Sequence, residues 1–464
     1  MKSSAVSALF WGAALGAIKV DLNDTSSIKD AAASVAKGLI AYYDGDQPGK
    51  IPGILPGPPP SGDYYWGESG QMWNTLIAYA HAMGDSSYND LIAKGLLWQT
   101  GPGDNFMPAN WSTALGNDDQ GMWAMAAMTA AETNFTTGQS NNWLRLAQNV
   151  FDNMASPSRW NETGGEDSCG GGLRWQVFTF NAGYDYKNSI STGMLFNLAS
   201  RLARLTGNAT YAEWADKTWT WMEDVGFLTP SGAIYDGAHV ATNCTDINKM
   251  QFSYNLGVFI EGAAHMYNST SGGDVWRDRL GTLVNGTSYF TDDNCVPVEP
   301  ACEGTGRCTT DMLMFKSVLL RGLSATAEFA PHTVGRVGCV LDAAANATAA
   351  ACGGEGDDKG AQCGFVWTEG KDDGLHGAGQ QMNALAALTG EYRLRVAPPD
   401  GGAAGGNGSA TGGGTGGGGS GSPTQSGAAP TSSKNGAGMT ADRAGAGILL
   451  AAAVLAVGFT ALLA

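Results

Sequence analysis

One pattern limits the fold more than any other: six times, a glycine opens a helix-like stretch of mixed polarity, and a short polar turn leads to a more amphipathic stretch. The first members start at Gly70, Gly121, Gly193, Gly257, Gly322 and Gly379, at intervals of 51, 72, 64, 65 and 57 residues. Their partners run from Tyr88 to Trp98, Trp143 to Met154, Tyr211 to Met222, Trp276 to Tyr289 and Val334 to Ala347. The sixth partner is the first helix, Ile28 to Tyr43, which closes a ring. Repeated helical hairpins of this length predict an all-α chain, an (α/α)6 barrel: a toroid of helical hairpins with long loops at one end. An open α-solenoid is the alternative. Closure by the first helix and the irregular loops 44–65, 100–117, 159–187 and 227–252 favour the barrel, whose binding cleft would lie where those loops meet the inner helices.

Local signals agree. Leu198, Leu202 and Leu205 recur at helical spacing, as do Trp214, Thr218 and Trp221. Gly84-Asp85 and Gly207-Asn208 read as helix stops ahead of the next N-cap. Period-two patterns are few; Arg174 to Phe180 is the best candidate strand, in a hairpin within a long loop.

The termini differ from the repeat block. Met1-Lys2 and the apolar run Ala5 to Ala17, with small residues at Ala14 and Gly16, read as a cleaved secretory signal over 1–17. The block from 18 to 396 is then one domain. Residues 397–434 are dominated by Gly, Ser, Thr and Ala, have little apolar surface to bury, and read as a disordered stalk. From 435 to 464, small residues, a polar spacer and an apolar tail with no charge after it have the form of a glycosylphosphatidylinositol-attachment signal, with Asn435 as the attachment residue. A plain tail-anchored helix is the competing reading.

The 8 cysteines of a chain entering the secretory pathway point to disulfides. Cys169 and Cys244 stand apart and could pair with each other; the other six cluster late and their connectivity stays open. No spacing resembles a zinc site, His is scarce at 5, and the reading calls for no metal and no cofactor. Asn23, Asn110, Asn134, Asn161, Asn208, Asn243, Asn268, Asn285, Asn346 and Asn407 open N-glycosylation sequons, which suit a secreted exterior. A net charge of −17 argues against nucleic acid and anionic lipid as partners, whereas a neutral glycan needs no charge match.

Four Asp-Asp pairs occur, at 118–119, 292–293, 357–358 and 372–373. Such a pair is ordinarily a solvated turn or a cap. Asp118-Asp119 differs by position, opening an inner helix at the supposed cleft. Neighbouring carboxyls at a helix end stand roughly 5–6 Å apart, near the separation a retaining glycosidase uses. Two like charges this close cannot both ionise easily, so one group keeps its proton and the other is left as nucleophile. Aromatics that could stack on sugar rings lie nearby in sequence: Tyr64, Tyr65, Trp66, Trp111, Trp175, Tyr184, Tyr186 and Trp367. Arg174, Lys187, Asn188 and Asn255 could bond hydroxyls, and Glu68 and Asp185 could be supporting carboxylates. Each of these could equally be core or cap.

Specific strings sharpen the reading: Tyr64-Tyr-Trp-Gly-Glu-Ser-Gly70, Met107-Pro-Ala-Asn110, Leu115-Gly-Asn-Asp-Asp-Gln120, Cys169-Gly-Gly-Gly-Leu-Arg-Trp-Gln176, Gly183-Tyr-Asp-Tyr-Lys-Asn-Ser189 and Phe252-Ser-Tyr-Asn255. Over about 25–395 the chain resembles the fungal mannan endo-1,6-α-mannosidase family, glycoside hydrolase family 76. The resemblance implies an (α/α)6 barrel and a retaining enzyme, with Asp118 as nucleophile and Asp119 as acid/base. It implies a substrate-binding set of Trp66, Asn117, Gln120, Arg174, Trp175, Tyr186, Lys187, Asn188, Tyr254 and Asn255. It further implies α-1,6-mannan or an anchor glycan as substrate, a β-glucan acceptor if the reaction is transfer, and a lipid anchor at the outer face of the plasma membrane or the cell wall. Two positions depart from the family pattern: Gly67, where a second aromatic is expected after Trp66, and Gln380, where a Glu is common. A glycan-binding or structural wall protein without catalysis is the rival function.

Overall fold

The computed structural model describes residues 18–137, 142–162, 169–354 and 359–396. The expected secretory signal, the stalk, the anchor signal with Asn435, and the Asn407 sequon lie outside these residues.

Twelve helices make up the described fold: α1 (Thr25–Ile40), α2 (Trp66–Met83), α3 (Asn89–Trp98), α4 (Asn117–Glu132), α5 (Trp143–Met154), α6 (Ser189–Thr206), α7 (Ala209–Asp224), α8 (Ser253–Ser269), α9 (Asp274–Gly286), α10 (Phe315–Phe329), α11 (Val334–Ala351) and α12 (Ala378–Val396). The even-numbered helices form a closed inner ring: α2 packs on α4, α4 on α6, α6 on α8, α8 on α10, α10 on α12, and α12 on α2. Each odd-numbered helix packs outside its partner, and α1 lies on α12 to complete the sixth hairpin. The (α/α)6 barrel read from the repeat is the fold observed, and the open solenoid is excluded.

The two rings follow from composition. An inner helix touches protein on every side, so α2 is buried continuously from Trp66 to Tyr79, polar residues included. The outer α5 buries only Trp143, Leu146, Ala147, Val150, Phe151 and Met154, the single stripe of an amphipathic helix. The recurring glycines sit where inner helices press together. A Cβ on Gly121 would lie 2.5 Å from Met194 of α6, and one on Gly257 would lie 2.5 Å from a backbone carbonyl of α10. Gly84 and Gly207 end α2 and α6 in left-handed geometry, and Asn208 caps α7.

The strand expected over Arg174–Phe180 is not formed. The segment divides between two neighbours, with isolated bridges from Gln176 to Gly116 and from Arg174 to Lys187. Phe178 and Phe180 stack on each other, and Phe180 is exposed. The small sheet instead joins β1 (Tyr186–Asn188), β2 (Gly237–His239) and β3 (Ile247–Asn248), antiparallel, with Tyr186 opposite His239 and Gly237 opposite Asn248. A second two-stranded pairing joins Cys352–Gly353 to Gln362–Cys363.

Cys169 bonds Cys244, as its isolation in sequence suggested. The late cluster resolves into Cys295–Cys339, Cys302–Cys308 and Cys352–Cys363. Of the described sequons, Asn268 is half-buried and the others are exposed. No described helix is long and apolar enough to cross a membrane.

Candidate active site

The inner helices all run the same way along the barrel, so their N-termini and the loops before them converge on one mouth. A groove of about 1300 Å³, open solvent included, lies there. Its walls include Tyr65, the N-cap of α2, Trp66 and Glu68 from α2, Asp118 and Asp119 from α4, Tyr254 from α8, and Asp311 and Met314 just before α10. Trp111, Trp175, Gln176 and Asn181 arrive on loops.

Asp118 and Asp119 occupy the first turn of α4. The Asp119 carboxylate accepts the N–H of Gly116 at 3.0 Å on one oxygen and the N–H of Gly67 at 3.2 Å on the other. Asp118 accepts its neighbour's backbone N–H at 2.9 Å and the Trp175 indole N–H at 2.9 Å. Two glycines make this cradle possible. A Cβ on Gly67 would meet the Asp119 carboxylate at 2.4 Å, and one on Gly116 would meet the Asp118 carboxylate at 2.1 Å. Gly67, one of the two departures, lets the Asp119 carboxylate approach the backbone of α2 closely here.

Burial, and then the charge of Asp119, push the Asp118 carboxyl well above the ordinary aspartate range. Burial pushes Asp119 to about 6, against the pull of the Gly116 and Gly67 N–H groups. Asp311 is likewise raised by burial to about 6, and burial holds Glu68 well above its usual range. With Asp118 and Glu68 held well above the ordinary carboxylate range and Asp119 and Asp311 at about 6, the site holds protonated and ionised acids side by side near neutrality.

Of the residues expected to touch substrate, Trp66, Trp175 and Tyr254 line the groove with the Asp pair. Trp66 stacks between Trp111 and Trp123, and Tyr254 lies flat on Phe315 at 3.8 Å. Trp175 is 40% exposed and presents its ring to the opening.

The remaining seven are not among the groove's lining residues. Asn117 is buried, donates to the Arg174 carbonyl and accepts from Arg159. Gln120 is buried and donates to the Asn105 carbonyl at 2.7 Å. Arg174 covers Tyr184 and donates to its carbonyl. Tyr186 donates to Asp236 at 2.7 Å. Lys187 is buried and donates to the carbonyls of Cys169 and Gly171, and Asn188 caps α6. Asn255 is fully buried on α8, its amide without a hydrogen-bond partner in the protein. The common reason is that a helix start offers both a mouth-facing side and a side that must be pinned. Asn117, Gln120, Lys187 and Asn188 are on the pinned side. Asn117 holds the 174–177 loop to α4, where its backbone N–H meets the Trp175 carbonyl at 2.8 Å and Val177 N–H meets the Leu115 carbonyl at 3.0 Å.

Among the other candidates, Tyr65, Trp111 and Glu68 line the groove, whereas Trp367 is core and Asp185 is exposed and paired with His239. Asp311 was missed. Its signal was positional: Thr309-Thr310-Asp311 stands just before an inner helix, as Asp118 stands at the head of another. Among the described residues no cluster of His, Cys, Asp and Glu has the form of a metal site.

The family model of glycosyl hydrolase family 76 matches residues 27–400. Mannan endo-1,6-alpha-mannosidase DCW1 of Candida glabrata is 41% identical over 84% of this chain and 85% of its own length. The crystal structure of Dfg5 from Chaetomium thermophilum in complex with glucosamine is 44% identical, covers 81% of this chain and 92% of that one, and superposes with a TM-score of 0.75. The α-1,6-mannanase GH76A of Salegentibacter sp. HEL1_6 shares the fold at 17% identity and a TM-score of 0.62 over 79% of this chain and 99% of that one; that structure is an inactive variant with two aspartates replaced by alanine, in complex with α-1,6-mannotetrose. A closed ring of six helical hairpins, a carboxylate-lined mouth and a family match spanning the whole barrel lead to one conclusion: the chain belongs to glycosyl hydrolase family 76.

Proposed function

We propose that the protein is a retaining endo-acting glycosidase that cleaves internal α-1,6-mannosidic bonds, with Asp118 as nucleophile and Asp119 as acid/base. The observation that carries this reading is the adjacent carboxylate pair in an aromatic groove, both members raised by burial and Asp118 the further. The name of the 41%-identical relative supports the linkage.

In the first step the Asp118 carboxylate attacks the anomeric carbon, the glycosidic C–O bond breaks, and Asp119 gives its proton to the leaving oxygen. In the second, a water or sugar hydroxyl attacks the same carbon, returns a proton to Asp119 and frees Asp118. In the free site the distribution is the reverse, because the charge of Asp119 adds to burial in holding the Asp118 carboxyl well above the ordinary range, whereas Asp119 stands at about 6. The proposal therefore includes transfer of a proton from Asp118 to Asp119 as the sugar displaces water from the groove. Trp175 assists by donating to Asp118 and keeping its oxygen aimed.

In cells the enzyme is secreted, held at the outer face of the plasma membrane or wall by a lipid on Asn435, and acts in wall biogenesis. Its substrate is the α-1,6-mannose of mannan or of a protein's anchor glycan, and a β-glucan acceptor would make the reaction a transfer. The domain limits proposed are 1–17 signal, 18–396 catalytic, 397–434 stalk and 435–464 attachment signal.

The test is turnover of α-1,6-mannotetraose by the wild type and by Asp118→Asn, Asp119→Asn and the double variant, with thermal unfolding to establish folding. Each single variant should lose at least about 10³-fold in kcat, and the double should lose little more, since the two groups act as a unit. A folded double variant that retains turnover, or that still rescues a wall-defective strain, rejects catalysis by this pair.

A further inference from the structure

We propose that the half of the barrel interior remote from the groove contains a binding site for one halide-sized anion. A second chamber lies there, lined by Thr75, Ser317, Arg321, Ser324, Thr389 and Arg393 from α2, α10 and α12. It leaves about 20 Å³ for the centre of a water-sized sphere, which admits one small ion or water and excludes a sugar.

Its polar atoms divide into those already satisfied and those still open. Thr75 donates to the Gln71 carbonyl of its own helix, and Ser317 to the Met314 carbonyl just before α10. Ser324 and Thr389 are each 5% exposed, and neither hydroxyl has a partner in the protein. The Arg321 Nε–H is also buried and unpartnered. A guanidinium N–H can only donate, so what completes it must be an acceptor. The two hydroxyls can turn their hydrogens toward the same acceptor.

Charge favours an anion over water. Two guanidiniums, Arg321 and Arg393, line the chamber, and no carboxylate is among its lining residues. Their partners lie outside that lining, Glu261 at 2.9 Å from Arg321 and Glu328 at 3.7 Å from Arg393, and Glu132 pairs with Arg201 at 2.6 Å and with Arg204 at 3.7 Å in the adjoining cluster. His265 packs in the same cluster, and burial and then the neighbouring Arg204 keep it neutral near pH 7. A chamber lined by two guanidiniums and by hydroxyls with open hydrogens, with no carboxylate in its wall, is completed by an acceptor that carries negative charge, and a single halide would take the open donors. This inference is independent of which glycan the groove accepts.

The test uses the purified protein with sodium chloride, bromide or gluconate at one ionic strength. Bromide crystals should give an anomalous peak within hydrogen-bond reach of Arg321 Nε, Ser324 Oγ and Thr389 Oγ1. Thermal unfolding should rise on the order of 2 °C in halide over gluconate. Ser324→Ala/Thr389→Val should abolish that difference and leave mannoside turnover unchanged. If the double variant fails to fold, the bromide map of the wild type still decides. A chamber holding water without anomalous signal, or a halide-independent transition, overturns the proposal.

Discussion

The tightest link between backbone and chemistry is Gly67, so Gly67→Ala should damage catalysis without unfolding the protein. The new Cβ would start 2.4 Å from Asp119 Oδ1, where ordinary contact begins at 3.4 Å, so the carboxylate must retreat by about 1 Å. A displacement of that size in a reacting group costs on the order of 10²-fold. The loss should fall on kcat, because the aromatic walls that bind sugar are not moved. Alanine is a better helix residue than glycine by roughly 0.5–1 kcal/mol, which offsets part of the steric strain and keeps the melting temperature near that of the wild type. Gly281→Ala, on the outer α9 with nothing within 4 Å of its added Cβ, is the control and should leave turnover alone. Steady-state kinetics on an α-1,6-mannoside, with circular dichroism for folding, reads both. Wild-type kcat in Gly67→Ala would refute the claim that this backbone sets the position of Asp119.

Trp175→Phe keeps an aromatic face but removes the indole donor to Asp118, and kcat should fall roughly tenfold, the worth of one hydrogen bond to a charged group. Asp311→Asn removes a negative charge that raises both Asp118 and Asp119, so, if these carry the reaction as proposed, the pH–rate profile should move to lower pH. The same variant should be more stable at pH 7: the native Asp311 carboxyl is raised to about 6, which stabilises the fold below the ordinary aspartate pKa and loses that contribution as pH rises through 6. The gain, on the order of 2 kcal/mol by urea unfolding, should vanish near pH 3. Glu261 behaves oppositely. Burial raises it, but Arg321 and Arg201 outweigh burial and hold it at about 2, so its contribution is present above 4.5 and lost as pH falls toward 2. Glu261→Gln should cost about 3 kcal/mol at pH 7, because it leaves buried guanidiniums short of charge. Replacing Cys169 and Cys244 by serine should cost about 2–4 kcal/mol in chemical unfolding, by freeing a loop closed across 75 residues.

The barrel was legible because crowding leaves a mark. Inner helices that touch at Gly121 and Gly257 cannot carry side chains there, so the glycine spacing reports the ring directly. The Asp pair was legible for a similar reason, since a helix start at the mouth of a toroid is a privileged position. Which of the expected substrate-binding residues line the groove was less legible. Asn117, Gln120, Lys187 and Asn188 sit in the same strings as the carboxylates, and sequence proximity cannot separate a residue that faces the groove from one that pins the loop behind it. That distinction depends on helix phase and loop path, as the Asn117 bond to the Arg174 carbonyl illustrates. Asp311 lay outside every string because it enters from a loop nearly two hundred residues away, and only ring closure brings it to the pair.

The central claim is that Asp118 and Asp119 divide one reaction between them, and trapping the intermediate tests it most directly. A slow fluorinated α-mannosyl donor, quenched in acid, digested and mapped by mass spectrometry, should leave one mannosyl ester on the peptide carrying Asp118, with the adduct absent in Asp118→Asn. An ester on Asp119 would reverse the roles, and an unmodified enzyme that releases inverted sugar would contradict the covalent account altogether.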